Sequence, residues 1–286
     1  MTSDKSASEQ DIQSFWNENP CGEWMVGGRE DGEDAATFFD RYDELRYSSI
    51  PHIPDCLDKI DFQGKRTLEI GLGLGADAEQ ITRRGALYNG LDLTEASVQR
   101  VTERMKVRGL SYETIKQGSA LQIPHPDNHF DIVFSYGVLH HIPDIRTAAK
   151  EIARVLKPNG KLIIMVYPKN SLNYWIAISI VRRLGLIGLY YLYPSIGGMY
   201  GKHIENAKRY GLRNYLKMHN FIHYNTDGPE NPYSKVYTTE LLKEDFREFH
   251  LDKTYRRFMH APPLPVKGFP GGRIMGWSLW AHFTKT

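Results

Sequence analysis

From Lys65 to Tyr167, short apolar runs alternate with longer stretches in which apolar residues recur at helical spacing. The short runs are typical of buried strands and the longer stretches of amphipathic helices. Strands that alternate with helices form βαβ units, so we expect a mostly parallel sheet covered on both faces. The predicted strands are RTLEI, YNGLDL, ETIKQ, FDIVFSY and GKLIIMVY, and the predicted helices begin at Asp77 and cover EASVQRVTERMKVRG and IRTAAKEIARVLK.

The alternation is absent from the first 60 residues and again after Tyr167. The first region has an aromatic segment, an acidic and glycine-rich loop and a predicted helix, DAATFFDRYDELRY, after which Pro51 and Pro54 are expected to break the chain. After Tyr167 comes an apolar and then basic region, followed by two strand-like segments, TYRRFMH and GWSLWAHFTKT. We therefore divide the chain into an N-terminal cap (1–60), a core (61–168), an inserted lid or substrate region (169–249) and a terminal strand pair that completes the core sheet (250–286).

Composition narrows the function classes. The chain of 286 residues is 41% hydrophobic and 24% charged, as is ordinary for a soluble globular protein. Its formal net charge of +2 gives no general attraction to nucleic acid. Cys21 and Cys56 are too few for a disulfide framework and lack metal-ligand spacing. The start, MTSDKSASEQ, has no apolar signal-peptide core, so a cytoplasmic location is expected.

The apolar stretch 172–193 has about the length of a membrane span. Arg182 and Arg183 lie in its middle, where each charge costs roughly 2.5–3.5 kcal/mol, so we expect that it does not span. Two interpretations stay open: a lid over the substrate pocket, or an element that inserts into a membrane surface to reach a lipophilic acceptor. The surrounding segment from Arg182 to Lys217 is basic, which fits either a solvated face or a surface that orients an anionic substrate or membrane.

The segment TLEIGLGLGADA places three glycines directly after a predicted strand. Backbone amides between a strand and a helix N-terminus suit anionic or nucleoside ligands. Gly71, Gly73 and Ala76, with Asp92 further on, satisfy the dinucleotide fingerprint. The same segment also suits another nucleoside-bearing cofactor, through Gly71, Gly73 and Gly75 with Glu69 just upstream. In either case Asp92 is expected to accept hydrogen bonds from ribose hydroxyls.

Further motifs, in order over much of residues 61–168, favour the second interpretation: LEIGLGLG, GLDLTEASV, QGSALQIPHPDNHFDIVFSYGVLHHIPD and EIARVLKPNGKLII. This series resembles the class I S-adenosylmethionine-dependent methyltransferases, in particular the bacterial methyltransferase type 11 group. The resemblance implies an α/β, doubly wound, Rossmann-like sheet of seven mostly parallel strands, the last one antiparallel, with an N-terminal helical cap and an inserted helical lid. It also implies that S-adenosyl-L-methionine is the cofactor and that the chain is a methyltransferase.

The resemblance also implies roles for individual residues. Gly71, Gly73 and Gly75 would approach the methionine part of the cofactor, and Glu69 would contact that part or orient the loop. Leu93, Ala120 and Leu121 would enclose the adenine, while Ser135 and Tyr136 would line the path of the methyl group. From the N-terminal helix, Tyr42, Arg46 or Tyr47 is expected to reach the methionine carboxylate.

One position departs from the family pattern. The family usually has Asp near the adenine amino group, in GDA, whereas this chain has GSA with Ser119. A hydroxyl can still form the hydrogen bond, but without the assistance of a charge. Asp127 or another group is expected to compensate if cofactor binding requires a carboxylate.

The residues after the fourth strand, SYGVLHH, bear on the methyl acceptor. They lack the Asn/Asp-Pro-Pro-Tyr/Phe motif of enzymes that methylate amide or adenine nitrogens. They also lack the Pro-Cys nucleophile of enzymes that methylate C5 of cytosine. We therefore expect no nucleic acid partner but a small, partly apolar metabolite, methylated on O, N or C. His140 and His141 are candidate general bases, with His141 preferred and Tyr136 beside it; the alternative is that both histidines pack and hydrogen-bond the turn.

Other chemistry is less favoured by the sequence. His219 and His223 in HNFIH have the spacing of half a metal site, but no third ligand is fixed, so no metal is expected. The rival functions are an NAD(P)-dependent oxidoreductase that uses the same glycine loop, and a non-catalytic S-adenosylmethionine-binding protein that acts at a membrane or partner surface. The sequence does not predict the oligomeric state.

Overall fold

The structure, a computed structural model, describes residues 7–193 and 195–286. Residues 1–6, which begin both the predicted cap and the segment judged not to be a signal peptide, lie outside the described residues. Within the described part, seven strands form one sheet. They are β1 (Arg66–Ile70), β2 (Leu87–Asp92), β3 (Thr114–Gln117), β4 (Phe130–Tyr136), β5 (Leu156–Val166), β6 (Phe249–Arg257) and β7 (Ser278–Lys285).

Helices cover the sheet, and further helices lie before β1 and after β5. Those before and within the core are α1 (Glu9–Glu18), α2 (Glu23–Val26), α3 (Ala35–Ser49), α4 (His52–Leu57), α5 (Ala76–Arg83), α6 (Glu95–Val107) and α7 (Ile145–Val155). After β5 come a π-helix (Asn173–Arg182), α8 (Arg183–Leu192), α9 (Gly198–Tyr210), α10 (Leu212–Tyr215), α11 (Met218–Phe221), α12 (Thr239–Asp245) and, between the last strands, α13 (Gly272–Met275). Side-chain caps fix several starts: Asp34, Thr94 and Asp144 accept from backbone amides of the first turn.

The strand order is β3-β2-β1-β4-β5-β7-β6, with β7 antiparallel to both of its neighbours. This confirms the predicted seven-stranded, mostly parallel α/β sheet with an antiparallel last strand. The order reverses between β1 and β4, which pair in parallel. In open α/β sheets, ligands bind at the carboxyl ends of the strands beside such a reversal.

Each face of the sheet buries its own core. Val133 packs in one core with α7, while its neighbours Ile132 and Phe134 pack in the other with residues of α5 and α6. This alternation follows from the two-residue period of strand side chains. Because both faces are covered, the central strands β4 and β5 contain continuous apolar runs, IVF and LIIMV, in the sequence.

Several details of the elements differ from the predictions. Strand β5 begins at Leu156 rather than at Gly160, because Leu156 already pairs with Phe130 of β4, and a bulge then shifts the register so that Lys161 pairs with Ile132. Strand β6 begins at Phe249, five residues before the predicted segment. Pro51 and Pro54 do not simply break the chain, since α4 begins at His52 with Pro54 in its first turn, where the missing proline amide leaves no helical bond unmade.

The inserted region contains one long apolar helix. The π-helix and α8 are continuous over Asn173–Leu192, and by length and composition this helix is long and apolar enough to cross a membrane. One side of it is packed inside the protein, where Ile178 and Leu186 join a core with Ile204, Ala207 and Phe221.

Candidate active site

A cavity of about 660 Å³ lies at the carboxyl ends of β1, β2 and β4, beside the reversal of strand order. This volume is in the range of pockets that hold small molecules. The N-terminal helices close one side and the inserted region closes another. Among the candidate residues from the sequence, those that line it are Tyr42, Arg46, Gly71, Gly73, Gly75, Asp92, Leu93, Ala120, Leu121, Tyr136 and His141.

The glycine loop is shaped by left-handed backbone angles. Gly71, Gly73 and Gly75 have φ values of +82°, +52° and +78°, which L side chains rarely adopt. A Cβ on Gly71 would lie 2.2 Å from a methyl carbon of Val138. The loop therefore requires glycine both for its turn and for its contact with the chain after β4.

Asp92 at the end of β2 holds this loop in place. Its Oδ2 accepts from the Leu72 amide at 2.6 Å, and its Oδ1 accepts from the amide and hydroxyl of Thr94 at 2.8 and 2.7 Å. Burial raises the pKa of Asp92, although these hydrogen bonds favour the charged form. The carboxylate lines the cavity and retains lone pairs that can accept from a diol.

Glu69, which the sequence placed at the cofactor, lies beneath the loop and not on the cavity surface. Its side chain is buried, and the Tyr88 hydroxyl donates to its Oε2 at 2.5 Å. Burial, reinforced by the charge of Asp77, raises the pKa of Glu69 well above its ordinary value. In this position Glu69 supports the strand from which the loop begins.

Arg46 and Asp77 form a buried ion pair at the methionine end predicted for the cavity. Arg46 Nη2 donates to Asp77 Oδ2 at 2.6 Å, and Nη1 donates to the Tyr42 hydroxyl at 3.3 Å. Arg46 Nε and Asp77 Oδ1 are buried and have no hydrogen-bond partner among the described residues. Tyr47 is turned elsewhere, with its hydroxyl 3.4 Å from the Ala76 carbonyl oxygen.

At the opposite end, Leu93, Ala120 and Leu121 form an apolar wall. Ser119 lies just outside this cavity, and its hydroxyl accepts from the Leu121 amide at 2.9 Å. The same hydroxyl donates to the carboxylate of Glu9 on α1, which does line the cavity. Asp127, considered as a substitute for the usual carboxylate, is paired with Arg154 at 2.8 Å.

Helix α1 covers this end of the cavity. Gln13 donates to the Leu93 carbonyl at 2.8 Å, while Ile12 and Trp16 face the cavity. The Trp16 ring meets the His141 ring edge-on, with centroids 5.2 Å apart. The sequence indicated a cap, but it gave no reason to place α1 between the predicted adenine site and His141.

Tyr136 lies on the cavity surface at the end of β4, with the Arg46 guanidinium 5.3 Å from its ring centroid. Burial raises the pKa of Tyr136, so the phenol stays neutral. Ser135 is fully buried behind it, and its hydroxyl donates to the Ile70 carbonyl at 2.9 Å. Ser135 thereby ties β4 to β1 at the sheet edge where the cavity opens.

His141 is oriented by the inserted region. Its Nδ1 lies 2.8 Å from the carbonyl oxygen of Tyr233 and 3.2 Å from the Ser234 hydroxyl. A carbonyl oxygen only accepts, so Nδ1 carries the proton and Nε2 is the basic nitrogen of the neutral ring. Nε2 lies 3.4 Å from Asp227 Oδ2.

Asp227 lies in the inserted region and lines the cavity beside His141. Tyr167 donates to its Oδ1 at 3.0 Å. Burial opposes its ionisation, but the neighbouring His141 ring and the hydrogen bond from Tyr167 outweigh that effect and lower the pKa of Asp227 below its ordinary value. A charged carboxylate therefore faces the basic nitrogen.

His140 has a different setting. It is fully buried, does not line the cavity, and packs on the Tyr167 ring with centroids 4.1 Å apart. Burial, together with the charge of His141, lowers the pKa of His140 well below its ordinary value. Of the two candidate bases, only His141 reaches the cavity.

The structure brings potential metal ligands together, but not at His219 and His223, the pair whose spacing in the sequence resembles half a metal site. Among the described residues, ligand atoms of His140, His141 and Asp227 lie within 4.8 Å of one another. His219 is exposed on α11, and His223 instead bonds the backbone of Ser234 through Nδ1. The sequence had no signal that would bring Asp227 to the two adjacent histidines.

Comparison with known proteins finds a family model that matches most of this core. Residues 68–164 match the family model described as "Methyltransferase domain". The chain is 37% identical over 136 residues to the fatty-acid O-methyltransferase of Mycolicibacterium smegmatis, covering 46% of this chain and 48% of that protein. It is 31% identical over 161 residues to the demethylmenaquinone methyltransferase of a Geobacillus species, covering 53% and 64%. The chain thus spans about half to two thirds of the length of these relatives.

A solved structure extends the likeness beyond the matched domain. A methyltransferase from Thermotoga maritima, described as a possible histamine N-methyltransferase, superposes with a TM-score of 0.53 over 98% of this chain and 100% of that one. The sequences are 16% identical, so this likeness concerns the fold alone. The likeness of fold thus extends over the cap and the inserted region as well as the core.

Proposed function

Since residues 68–164 form a methyltransferase domain of the class I, S-adenosylmethionine-dependent type 11 group, we propose that this chain methylates a small, partly apolar metabolite. When bound, S-adenosylmethionine supplies a methyl group on a positively charged sulfur, which a nucleophile displaces in line. The residues of the chain then have three tasks: to bind the cofactor, to position the acceptor and to accept any proton that the acceptor loses. The cavity provides groups for each task.

The methionine end fits an amino acid zwitterion. Arg46 Nε and Asp77 Oδ1 are buried and unpartnered within the described residues, although both side chains reach the cavity. Unmade hydrogen bonds of this kind are costly, and a ligand carboxylate and ammonium would satisfy them. We assign Arg46 to the carboxylate and Asp77 to the amine.

The nucleoside end fits an adenosine. The Asp92 carboxylate accepts from ribose hydroxyls, and Leu93, Ala120 and Leu121 enclose the base. Glu9 replaces the carboxylate that GSA lacks, since it lines the cavity and is held by the Ser119 hydroxyl. A carboxylate from α1 would accept from the adenine amino group in place of the usual Asp.

The acceptor end contains a base. Nε2 of His141 is the basic ring nitrogen, and Asp227 stabilises the imidazolium that forms when Nε2 takes up a proton. A base is useful only to an acceptor that loses a proton on methylation, from O–H, N–H or an acidic C–H, and of these we propose a hydroxyl. The single observation that carries this proposal is the placement of Asp227 against His141 at the cavity surface.

The remaining wall of the acceptor end is aromatic. Tyr167, Phe258 and Trp277 line it, and the Tyr167 and Trp277 rings are stacked with centroids 4.6 Å apart. Such a wall favours an apolar acceptor body. The fatty-acid and demethylmenaquinone methyltransferases among the relatives support the same choice, because their named substrates are apolar.

The experiment that tests this function is thermal unfolding with S-adenosylhomocysteine, S-adenosylmethionine, NAD and NADP, followed by transfer of a labelled methyl group to a panel of hydroxylated apolar compounds. At a hundredfold excess over Kd, a ligand of the native state adds about 2.7 kcal/mol to the unfolding free energy. Stabilisation by the adenosyl-sulfur compounds and label transfer abolished in His141→Ala are the expected results. Stabilisation by NAD or NADP alone would instead establish the rival oxidoreductase, and cofactor binding without transfer to any acceptor would favour the non-catalytic alternative.

A further inference from the structure

We propose that the outer side of the helix Asn173–Leu192 docks on the surface of an anionic lipid bilayer and brings the acceptor end of the cavity to it. This inference rests on the proposed function for the apolar nature of the acceptor, and it goes beyond that function in naming a surface and a partner.

The helix is apolar on both sides, but only one side is packed. Its inner residues Ala177, Ile178 and Leu186 are buried, whereas Trp175, Leu184 and Leu192 are 55%, 64% and 73% exposed. Helices that are apolar all round are normally buried in a protein or in a membrane. The inner side of this helix is buried in the protein, whereas its outer side still lacks an apolar environment.

The exposed apolar side chains form a patch. Among the described residues, eleven of the seventeen large apolar side chains that are exposed lie between Trp175 and Tyr210. The six elsewhere, such as Leu45, Leu87 and Phe269, are spread over the rest of the chain, and exposed apolar side chains of this kind are normal for a protein surface. A contiguous apolar patch of aromatic and aliphatic side chains marks an interaction surface.

The positive charge around the apolar patch indicates which kind of partner it would bind. From Arg182 to Lys217 the chain has seven Lys or Arg residues and one acid, Glu205. On α9 and α10 the exposed cations include Arg209 and Arg213. Apolar side chains flanked by cations match an anionic lipid surface, where the former enter the acyl boundary and the latter meet the headgroups. Two copies of this chain docked face to face would instead bring like charges together.

The helix lies along the surface and does not cross it. Arg182 is fastened to the protein, with its guanidinium donating to the carbonyls of Asn225 at 2.6 Å and Pro262 at 2.8 Å. The buried side chains Ile178 and Leu186 pack against other parts of the inserted region and Trp277. A crossing helix would have to give up both sets of contacts.

The patch is linked to the cavity through one apolar cluster. Tyr167, Phe258 and Trp277 line the acceptor end, and they pack in the same cluster as Ile178 and Leu186. The helix is therefore the outer layer of the wall that the acceptor touches. Docking this side would place the cavity next to the phase in which an apolar acceptor is dissolved.

The test is flotation of the full chain with vesicles of phosphatidylcholine alone and of phosphatidylcholine mixed with phosphatidylglycerol. We expect binding to the anionic vesicles that weakens with added salt. Tyr191→Ser/Leu192→Ser should reduce that binding by about tenfold or more, since both side chains leave an apolar environment. The matched control Leu87→Ser/Tyr112→Ser, which removes exposed apolar side chains off the patch, should bind as the wild type does.

Two further measurements keep the outcome decisive. Brominated lipid should quench Trp175 fluorescence in the wild type, and Trp175→Phe should lose that component. Stabilisation by S-adenosylhomocysteine, measured on every variant, reports the fold and the cofactor site separately, so vesicle binding without such stabilisation would leave docking standing and remove the proposed function. Absent or salt-independent vesicle binding, binding unchanged in Tyr191→Ser/Leu192→Ser, or a dimer that the same substitutions dissociate would overturn the docking proposal.

Discussion

Nε2 of His141 lies 3.4 Å from Oδ2 of Asp227, although 86 positions separate the two residues in the sequence. This distance is long for a hydrogen bond, and both atoms are without such a bond among the described residues. Contacts of catalytic groups often tighten only when substrate is bound. The pair joins the turn after β4 to the inserted region. The core therefore supplies the candidate base, His141, and the inserted region supplies its charged partner, Asp227.

The first prediction concerns this pair. Asp227→Asn should lower methyl transfer to a hydroxyl acceptor by roughly 10²–10⁴-fold, because the imidazolium loses its charge partner. The kcat-against-pH profile and S-adenosylhomocysteine binding are the measurements. Binding should be little changed, and Glu230→Gln in the same loop should retain activity. Full activity in Asp227→Asn would remove the base from the mechanism.

The second prediction concerns the methionine end. Arg46→Gln should weaken S-adenosylhomocysteine binding about tenfold to a hundredfold, since a hydrogen bond to a charged group contributes roughly 1.5–3 kcal/mol. Titration calorimetry measures the change. The matched control is Arg84→Gln, which breaks an Arg–Asp pair with Asp58 away from the cavity. Equal affinity in Arg46→Gln and wild type would mean that the carboxylate binds elsewhere.

The third prediction concerns the substitute carboxylate on α1. Glu9→Gln should weaken S-adenosylhomocysteine binding roughly threefold to tenfold, the equivalent of about 0.5–1.5 kcal/mol. Glu18→Gln, an exposed acid on the same helix, is the control. Ser119→Asp should partly restore affinity in the Glu9→Gln background, because it returns a carboxylate to the position that the GDA motif would give it. An unaltered Kd in Glu9→Gln would refute the assignment.

The fourth prediction concerns the glycine loop. Gly71→Ala should lower the unfolding free energy by more than the roughly 1–2 kcal/mol cost of a left-handed alanine, because the new Cβ overlaps Val138. Gly109→Ala is the matched control, as it has φ +63° and nothing within 4 Å of the new Cβ, so it incurs the backbone cost alone. Urea unfolding compares them, and Gly71→Ala/Val138→Ala should show a smaller combined loss than the two substitutions added together. A cost in Gly71→Ala no larger than in Gly109→Ala would contradict the overlap.

The fifth prediction concerns pH. Burial lowers the pKa of His282 in β7 to about 4, and the positive charge of Lys253 adds to this effect. In the unfolded chain the pKa of a histidine is about 6.5. Between these values the unfolded chain binds a proton that the native state does not, so the unfolding free energy falls as pH drops from about 6.5 to 4. His282→Gln should reduce this slope by up to about 1 kcal/mol per pH unit. The exposed His219→Gln is the control, and an identical slope in His282→Gln would refute the effect.

The order of strands and helices in the core could be predicted because local patterns determine it. FDIVFSY is a strand over the predicted residues 130–136, since a buried parallel strand reads as an apolar run whatever surrounds it. Boundaries that depend on pairing could not be predicted in the same way. β5 begins at Leu156 only because β4 is there to accept its bulged register.

Some site residues could likewise be predicted from their immediate neighbours in the sequence. Glycines at the turn after β1 and Asp92 at the end of β2 owe their positions to elements that the sequence predicts. Glu69 shares the motif, yet it faces Tyr88 beneath the loop, because the side-chain direction of a strand residue depends on where the loop leaves the sheet. Tyr47 and Arg46 are adjacent on α3, and only their packing decides that Arg46 alone of the two reaches the cavity.

The sequence by itself determined the α/β core, its glycine loop and its likeness to a methyltransferase domain, because strand and helix periodicity and short motifs are properties of neighbouring residues. Tertiary structure alone decided that Glu9 meets Ser119, that Asp227 meets His141, and that one side of the helix Asn173–Leu192 is left exposed. Each of these depends on how the cap or the inserted region packs on the core. Contacts between segments far apart in the chain leave no period or spacing in the sequence from which they could be predicted.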